Sequence, residues 1–525
     1  MTKTLIAFLL CLGSLAAQAA LDPGRVRQLA AEDSTDKVTA IRQITENADP
    51  DAVRVLTAMS EDNLYLAGDT VVIIADDKAF DAVTGTAIKM PASPESIMVN
   101  NRIRGELASA LAALRLFEPD RAVRLASATE LQSSISPDMA PLLKLALDKE
   151  SDPEIKGLLS QAHAQATLGS PDPAVRLAAV KALADSTSPA IKAALLPLTD
   201  KAKEPDDKVR YEAIAAVKSI DGRLSLAENL GRIFSGLSLG SILLLAALGL
   251  AITYGVMGII NMAHGELLMV GAYATYGMQT LFRAYAPDYI DWYLPAAIPV
   301  AFFAAAAVGI VMERTVIRWL YGRTLETLLA TWGISLVLIQ TARVLFGAQN
   351  VEVSNPTWMS GGIEVMPNLM LPWNRIIIIG FALFVLFLVW VLMNKTRLGM
   401  FVRAVTQNRP MAGCVGVPTA RIDTMAFALG AGIAGLGGVA LSQISNVGPD
   451  MGQGYIVDSF LVVVVGGVGQ LAGAVWAALG LGIFSKLLEG WAGAVIAKIS
   501  ILVAIIIFIQ KRPQGIFALK GRFVE

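Results

Sequence analysis

Between Arg232 and Glu266 the chain carries no Lys, Arg, Asp or Glu, and His264 is the one titratable side chain besides Tyr254. At about 1.5 Å of rise per residue, Gly236 to Ile259 is long enough to cross an apolar layer of roughly 30 Å. The run then breaks at Asn261-Met262-Ala263-His264-Gly265-Glu266, a polar hexapeptide set against a second apolar run. Lipid cannot hydrogen-bond bare backbone, so such a break must lie at an interface or against other protein.

Composition divides the chain at this point. Of 525 residues 54% are apolar, with a mean hydropathy of +0.57, too high for a soluble protein of this size. Residues 21–231 hold 24 Lys+Arg against 32 Asp+Glu, whereas residues 232–525 hold 18 against 12. An acidic soluble part is therefore joined to a basic membrane part, and a basic nucleic-acid face is not indicated. Cys11 and Cys414 are the only cysteines and His163 and His264 the only histidines. The composition thus predicts no disulfide framework in the soluble part, no metal cluster and no cofactor.

At the N-terminus, Lys3, the apolar run Leu5–Leu12 and Ala17-Gln18-Ala19 have the layout of a signal peptide over residues 1–20. Residues 21–225 read as all-helical. Asp51-Ala-Val-Arg54 recurs as Pro119-Asp-Arg-Ala-Val-Arg124, Pro171-Asp-Pro-Ala-Val-Arg176 and Pro205-Asp-Asp-Lys-Val-Arg210. Asp starts each helix, Val opens its buried stripe, and Arg is placed to neutralise the Asp of a neighbouring repeat. The pattern is similar to HEAT-type repeats. Such stacked pairs offer a binding face, although a plain helical cap satisfies the same pattern.

From residue 230 onward the chain reads as a membrane domain of about eight to nine segments. After the first come apolar runs near 265–282, 294–312, 327–346, 374–393, 422–444, 458–468, 471–488 and 497–510. Arg314, Arg318 and Arg323 share one connection, and Lys395, Arg397, Arg403, Arg409 and Arg421 another. Lys511, Arg512, Lys520 and Arg522 lie at the end. The positive-inside rule makes those three regions cytoplasmic and puts residues 21–231 in the periplasm, in agreement with the leader. The run 458–468 ends in Gly466-Gly-Val-Gly-Gln470 and is too short to cross, which predicts a half-helix. Small residues every three or four positions in Gly430–Gly438 predict close helix packing. The expected fold class is all-α: a polytopic α-helical membrane permease preceded by a periplasmic α-helical, HEAT-like repeat domain.

Several blocks in order carry a family resemblance: Gly236-Leu-Ser-Leu-Gly-Ser241, Gly258-Ile-Ile-Asn-Met-Ala-His-Gly-Glu266, Gly271-Ala-Tyr273, the glycine run 430–438, Val465-Gly-Gly-Val-Gly-Gln-Leu-Ala-Gly473 and Arg512-Pro-Gln-Gly-Ile-Phe517. Over 230–525 the chain resembles the permease subunits of ABC importers for branched-chain amino acids. The leader and helical domain ahead of it resemble one branch, the larger permease of the urea importer. The resemblance implies bacterial inner-membrane localisation and an assembly with a second homologous permease, two ATP-binding subunits and a periplasmic substrate-binding protein. It implies that Arg403, Gln407, Asn408, Arg409, Ala412 and Gly416 belong to the segment that couples to the ATPase. Asn408 is expected to cap a short helix there, with Pro410 in its first turn.

No Gly-x4-Gly-Lys-Ser/Thr motif, Ser/His/Asp arrangement or carboxylate pair stands out, so the chain is not expected to be an enzyme. Asn261, His264 and Glu266 are the candidate substrate path, offering hydrogen bonds to a small amide near a helix N-terminus. The alternative is structural: Asn261 caps the second membrane helix while His264 and Glu266 sit at the cytoplasmic interface. The leading functional expectation is import of urea or a related short amide. Import of branched-chain amino acids is its alternative, and an ATP-independent urea channel or a membrane-anchored scaffold are alternatives of other classes.

Overall fold

The computed structural model describes residues 21–45, 49–75, 78–132 and 135–517. The leader assigned to residues 1–20 lies outside them, as do Lys520 and Arg522. The chain falls into two compact units, Met1–Leu224 and Ser225–Glu525.

The first unit opens with helices α1 (Pro23–Gln28), α2 (Ser34–Thr45) and α3 (Pro50–Ser60). It then departs from the all-helical expectation. Strands β1 (Leu64–Ala67), β2 (Thr70–Ala75), β3 (Lys78–Asp81), β4 (Ala87–Ile88) and β5 (Glu95–Ser96) form an antiparallel sheet in the order β4-β3-β2-β1-β5. The cause is local. Val71-Val72-Ile73-Ile74 is a β-branched run that loses side-chain freedom in a helix, and Gly68, with φ 64°, begins a two-residue turn that pairs Ala67 with Thr70. The β-branched run after Gly-Asp was the signal that the helical reading passed over.

Helices resume at α4 (Asn101–Arg115), α5 (Arg121–Leu131), α6 (Ala140–Lys149), α7 (Pro153–Thr167), α8 (Pro173–Leu183) and α9 (Pro189–Leu195). Asp120, Asp152 and Asp172 each cap a helix by accepting from the backbone N–H two residues on, at 2.8–2.9 Å. Two copies of the repeated Arg pair with a glutamate, whereas Arg54 and Arg210 pair with Asp51 and Asp207, three residues before them. Arg124 holds Glu150 at 2.8 Å, and Arg176 holds Glu204 through both guanidinium arms at 2.7 Å. Glu150 and Glu204 lie in the connections that follow α6 and α9. Arg121, outside the repeated position, reaches the capping Asp152 through its Nε at 2.7 Å. Glu150 and Glu204 hold their carboxyls below the usual range, first because of the arginine hydrogen bond.

Helix α10 runs from Asp207 to Met257. Its Asp207–Leu224 part buries Val209, Ala213, Ala216 and Ile220, a stripe at helical spacing, in the first unit's core. Its remainder opens the second unit. There follow α11 (His264–Tyr285), α12 (Tyr293–Thr315) and α13 (Thr324–Phe346), then a hairpin of β6 (Gly362–Met366) and β7 (Leu369–Pro372). The chain continues through α14 (Trp373–Lys395), α15 (Arg397–Gln407), α16 (Arg409–Cys414), α17 (Thr419–Ser442), α18 (Met451–Gly466), α19 (Leu471–Ala492) and α20 (Ala494–Lys511). Among the described residues, seven helices are long and apolar enough to cross a membrane. The α11 helix, with its buried polar first turn, and the 16-residue α18, about 24 Å long, complete the set.

Helix α17 is the axis of this unit, buried along almost its whole length. Glycine makes that possible. A Cβ placed on Gly430 would stand 2.6 Å from the carbonyl oxygen of Gly249 in α10, and one on Gly435 2.7 Å from that of Ala301 in α12. Helices α13, α14 and α20 lie outside, exposing apolar residues such as Trp332, Phe387 and Val503.

Candidate functional site

Helix α10 ends at Met257, and Gly258, at φ 66°, turns the chain out of it. Seven residues later His264 begins α11, with its Nε2 2.9 Å from the carbonyl oxygen of Ala246. Ala246 sits about 16 Å back along α10 from Met257. The connection therefore doubles back inside the protein, and α11 starts beside the middle of the apolar part of α10. Asn261 and His264 are 0% exposed and Glu266 is 1% exposed. This corrects the interfacial placement of His264 and Glu266: both are enclosed by protein. The reason is close packing from α17, since a Cβ on Gly249 would stand 3.0 Å from the His264 ring and closer still to the carbonyl of Gly430.

Asn261 does not cap α11 directly. Its amide oxygen accepts from the N–H of Ala263, and its backbone carbonyl accepts from that of His264. Three polar atoms of this group have no hydrogen-bond partner among the described residues: Asn261 Nδ2, His264 Nδ1 and Glu266 Oε2. Because the Ala246 carbonyl accepts, His264 Nε2 carries the hydrogen and Nδ1 is left to accept. Beside them α13 presents a buried polar stripe of Thr327, Thr331 and Ser335, spaced one turn apart. Thr331 Oγ1 accepts from the Met262 N–H at 3.2 Å.

The first turn of α18 meets the first turn of α11. A Cβ on Gly452 would lie 2.5 Å from the Gly265 carbonyl carbon and 2.8 Å from the Glu266 nitrogen. Two helix N-termini, each with backbone N–H groups free of intrahelical partners, thus converge where the unpartnered side chains lie. The half-helix expected at 458–468 is α18; it begins earlier, at Met451, and turns at Gly467 and Gly469, both with positive φ.

The expected coupling segment forms two short helices. Asn408 caps α16 by accepting from the Met411 N–H at 3.0 Å, with Pro410 in the first turn. Arg403 donates to the Met393 carbonyl at 2.7 Å, fastening α15 to the end of α14. Ala412 is buried, while Gln407, Met411 and Val415 face outward, and Gly416, at φ 88°, ends the segment.

Sequence reasoning missed a cluster around this segment. Arg409 pairs with Asp423 of α17 and lies 4.5 Å over the Tyr321 ring. One residue on, Thr424 donates to Glu313 at 2.7 Å. A carboxylate at the start of an apolar run, as Asp423 is, was the available signal. A second feature without a sequence signal is a cavity of about 700 Å³ lined by Arg232, Arg375, Lys486, Glu228 and Glu489. Its charge is largely matched already, since Arg232 pairs with Glu228 and Lys486 with Glu489 at 2.6 Å.

Known proteins place this architecture. A permease protein of the high-affinity branched-chain amino acid transport system of Pseudomonas aeruginosa is 29% identical over 296 residues, 55% of this chain and 95% of that protein. The corresponding protein of Escherichia coli K12 is 29% identical over 293 residues, 55% of this chain and 94% of its own length. A probable branched-chain amino acid transport permease protein of Methanocaldococcus jannaschii is 26% identical over 291 residues, 53% of this chain and 88% of that protein. No solved structure matches the chain. These relatives are transport permease components rather than enzymes. Residues 232–510 match the family described as branched-chain amino acid transport system / permease component, and the chain belongs to that family, as a multi-pass permease of the inner membrane.

Proposed function

We propose that the chain is the membrane-spanning subunit of an ABC importer for branched-chain amino acids. In this reading it works with a second homologous permease, two ATP-binding subunits and a substrate-binding protein. The observation that carries it is the coincidence of a broken, internally folded α10–α11 junction with a short helical pair, α15–α16, that seats Val402, Val405 and Ala412 on the core and leaves Gln407, Met411 and Val415 exposed. A channel needs no such pair, and a membrane anchor needs neither. The relatives bear branched-chain amino acid names, so this substrate class takes precedence over urea, which rests on the leader and helical domain alone.

The orientation follows from charge: α15–α16 and the C-terminus in the cytoplasm, the first unit in the periplasm. The first unit, net acidic, is assigned to receiving the substrate-binding protein. Asn261, His264 and Glu266 are assigned to the substrate path. Unpartnered Asn261 Nδ2 and the two helix N-termini offer donors to a carboxylate, and His264 Nδ1 and Glu266 Oε2 offer acceptors to an ammonium group. Burial of all three corresponds to a closed state.

The test is uptake of labelled leucine and labelled urea by cells with and without the chain. Leucine uptake that depends on the chain, on ATP and on Asn261 supports the reading. Urea uptake alone returns the substrate to the short amides, and uptake persisting without ATP removes the importer class.

A further inference from the structure

The acid–base cluster at the foot of α17 has a task that packing alone does not explain. Helix α16 is only six residues long and is held by few contacts: the Asn408 cap, buried Ala412 and Arg409. Arg409 Nη1 donates to Asp423 Oδ1 at 3.3 Å, and its Nη2 closes a second bond to Oδ2. Its guanidinium carbon also lies 4.5 Å from the centre of the Tyr321 ring, in the connection between α12 and α13. Asp423 is 1% exposed, so its charge is balanced chiefly by this arginine.

The adjacent residue continues the chain of contacts. Thr424 donates to Glu313, the buried carboxylate in the last turn of α12, and Arg318 lies 3.5 Å from Glu313 and 3.4 Å from Thr424. Two neighbouring residues of α17 thus tie it to α16 on one side and to α12 on the other. Above them α17 meets α10 and α12 backbone to backbone, at spacings that leave no room for slack. The outer face of the segment, Met411 and Val415, is exposed.

We infer that Arg409, Asp423 and Tyr321 form the joint through which displacement of α15–α16 reaches the transport helices, with Arg409 and Asp423 as positioning residues. The inference rests on the importer reading, in which an ATP-binding subunit moves α15–α16. An arginine held by two bonds to Asp423 and set over a ring transmits a push or pull that a side chain with a single contact would absorb. Separating the pair would leave a buried carboxylate unbalanced, so Arg409 and Asp423 move together.

The experiment uses the full complex, with its ATP-binding subunits and binding protein, in liposomes, and reads labelled leucine imported per ATP hydrolysed. Arg409→Gln and Asp423→Asn should retain the ATP-binding subunit and its hydrolysis while import per ATP falls about tenfold. The exchange of the two, Arg409→Asp with Asp423→Arg, should recover part of the loss. Arg409→Lys keeps the charge without the planar fork and should fall between wild type and Arg409→Gln. Unchanged import per ATP in both single variants overturns the joint. So does parallel loss of hydrolysis and of the bound ATP-binding subunit, which assigns the residues to docking. If neither single variant accumulates, Tyr321→Leu removes the ring and leaves the ion pair; a fall of about threefold supports the joint, and no change overturns it. A wild-type chain that retains no ATP-binding subunit overturns the importer reading instead.

Discussion

His264 Nε2 donates to the carbonyl oxygen of Ala246, a residue about three turns before α10 ends. That single bond records the reversal of the chain between α10 and α11. It fixes the first turn of α11 in the protein interior, beside Gly452 of α18 and the Thr331–Ser335 face of α13.

Replacing His264 by Ala removes this donor and leaves space where the ring lay. A fall in stability of about 1–2 kcal/mol is expected, the scale of an interhelical hydrogen bond in a membrane protein. Thermal unfolding of the detergent-solubilised chain measures it. His264→Gln, which can still donate, should lose less.

Glycine at the α10–α17 crossing is required by distance. Gly430→Ala puts a methyl 2.6 Å from the Gly249 carbonyl oxygen and should destabilise by about 1–3 kcal/mol. Gly480→Ala in α19 meets nothing within 4 Å and should be neutral or stabilising by about 0.5–1 kcal/mol. Melting temperatures of the two variants should move in opposite directions or differ clearly in size.

The Arg–Glu locks of the first unit predict an acid limit. Arg176 lowers the carboxyl of Glu204 from its ordinary 4.5, so the stabilisation is present at neutral pH and is lost as pH falls through the lower folded value. Hydrogen exchange of peptides from α8 and the start of α10, corrected for intrinsic rates, should rise below pH 4.5 in the intact chain. Arg176→Ala should produce the same opening at neutral pH, at a cost of about 3 kcal/mol.

Orientation is checked with an impermeant thiol reagent. Lys201→Cys, exposed in the first unit, should label in intact spheroplasts, whereas Cys414, also exposed, should label only after permeabilisation. Labelling of Cys414 in intact spheroplasts reverses the topology.

Much of the architecture was legible because it depends on short-range pattern. The charge-free run after Arg232, the small residues of 430–438 and the Asn408-Arg409-Pro410 cap are all signals within a few residues, and the structure realises each. The β-branched run at 71–74 was equally local, and the regular helical pattern on either side of it carried the reading past it. The repeated Arg predicts an acidic partner nearby, but that Arg124 takes Glu150 and Arg176 takes Glu204 is decided by how successive helices pack.

The sequence by itself determined that this chain has a membrane part of interrupted, glycine-rich helices and a capped helical part before it, since hydropathy and capping act through neighbouring residues. Only the tertiary structure decided that the interruption at Asn261–Glu266 lies inside the protein and that Asp423 answers Arg409 and Thr424 answers Glu313. Those pairings join residues 14 and 111 positions apart in the chain. The small residues of 430–438 announce that α17 packs closely, but which helices it meets, and so which side chains stand opposite Asp423 and Thr424, is set only when α12, α16 and α17 come together.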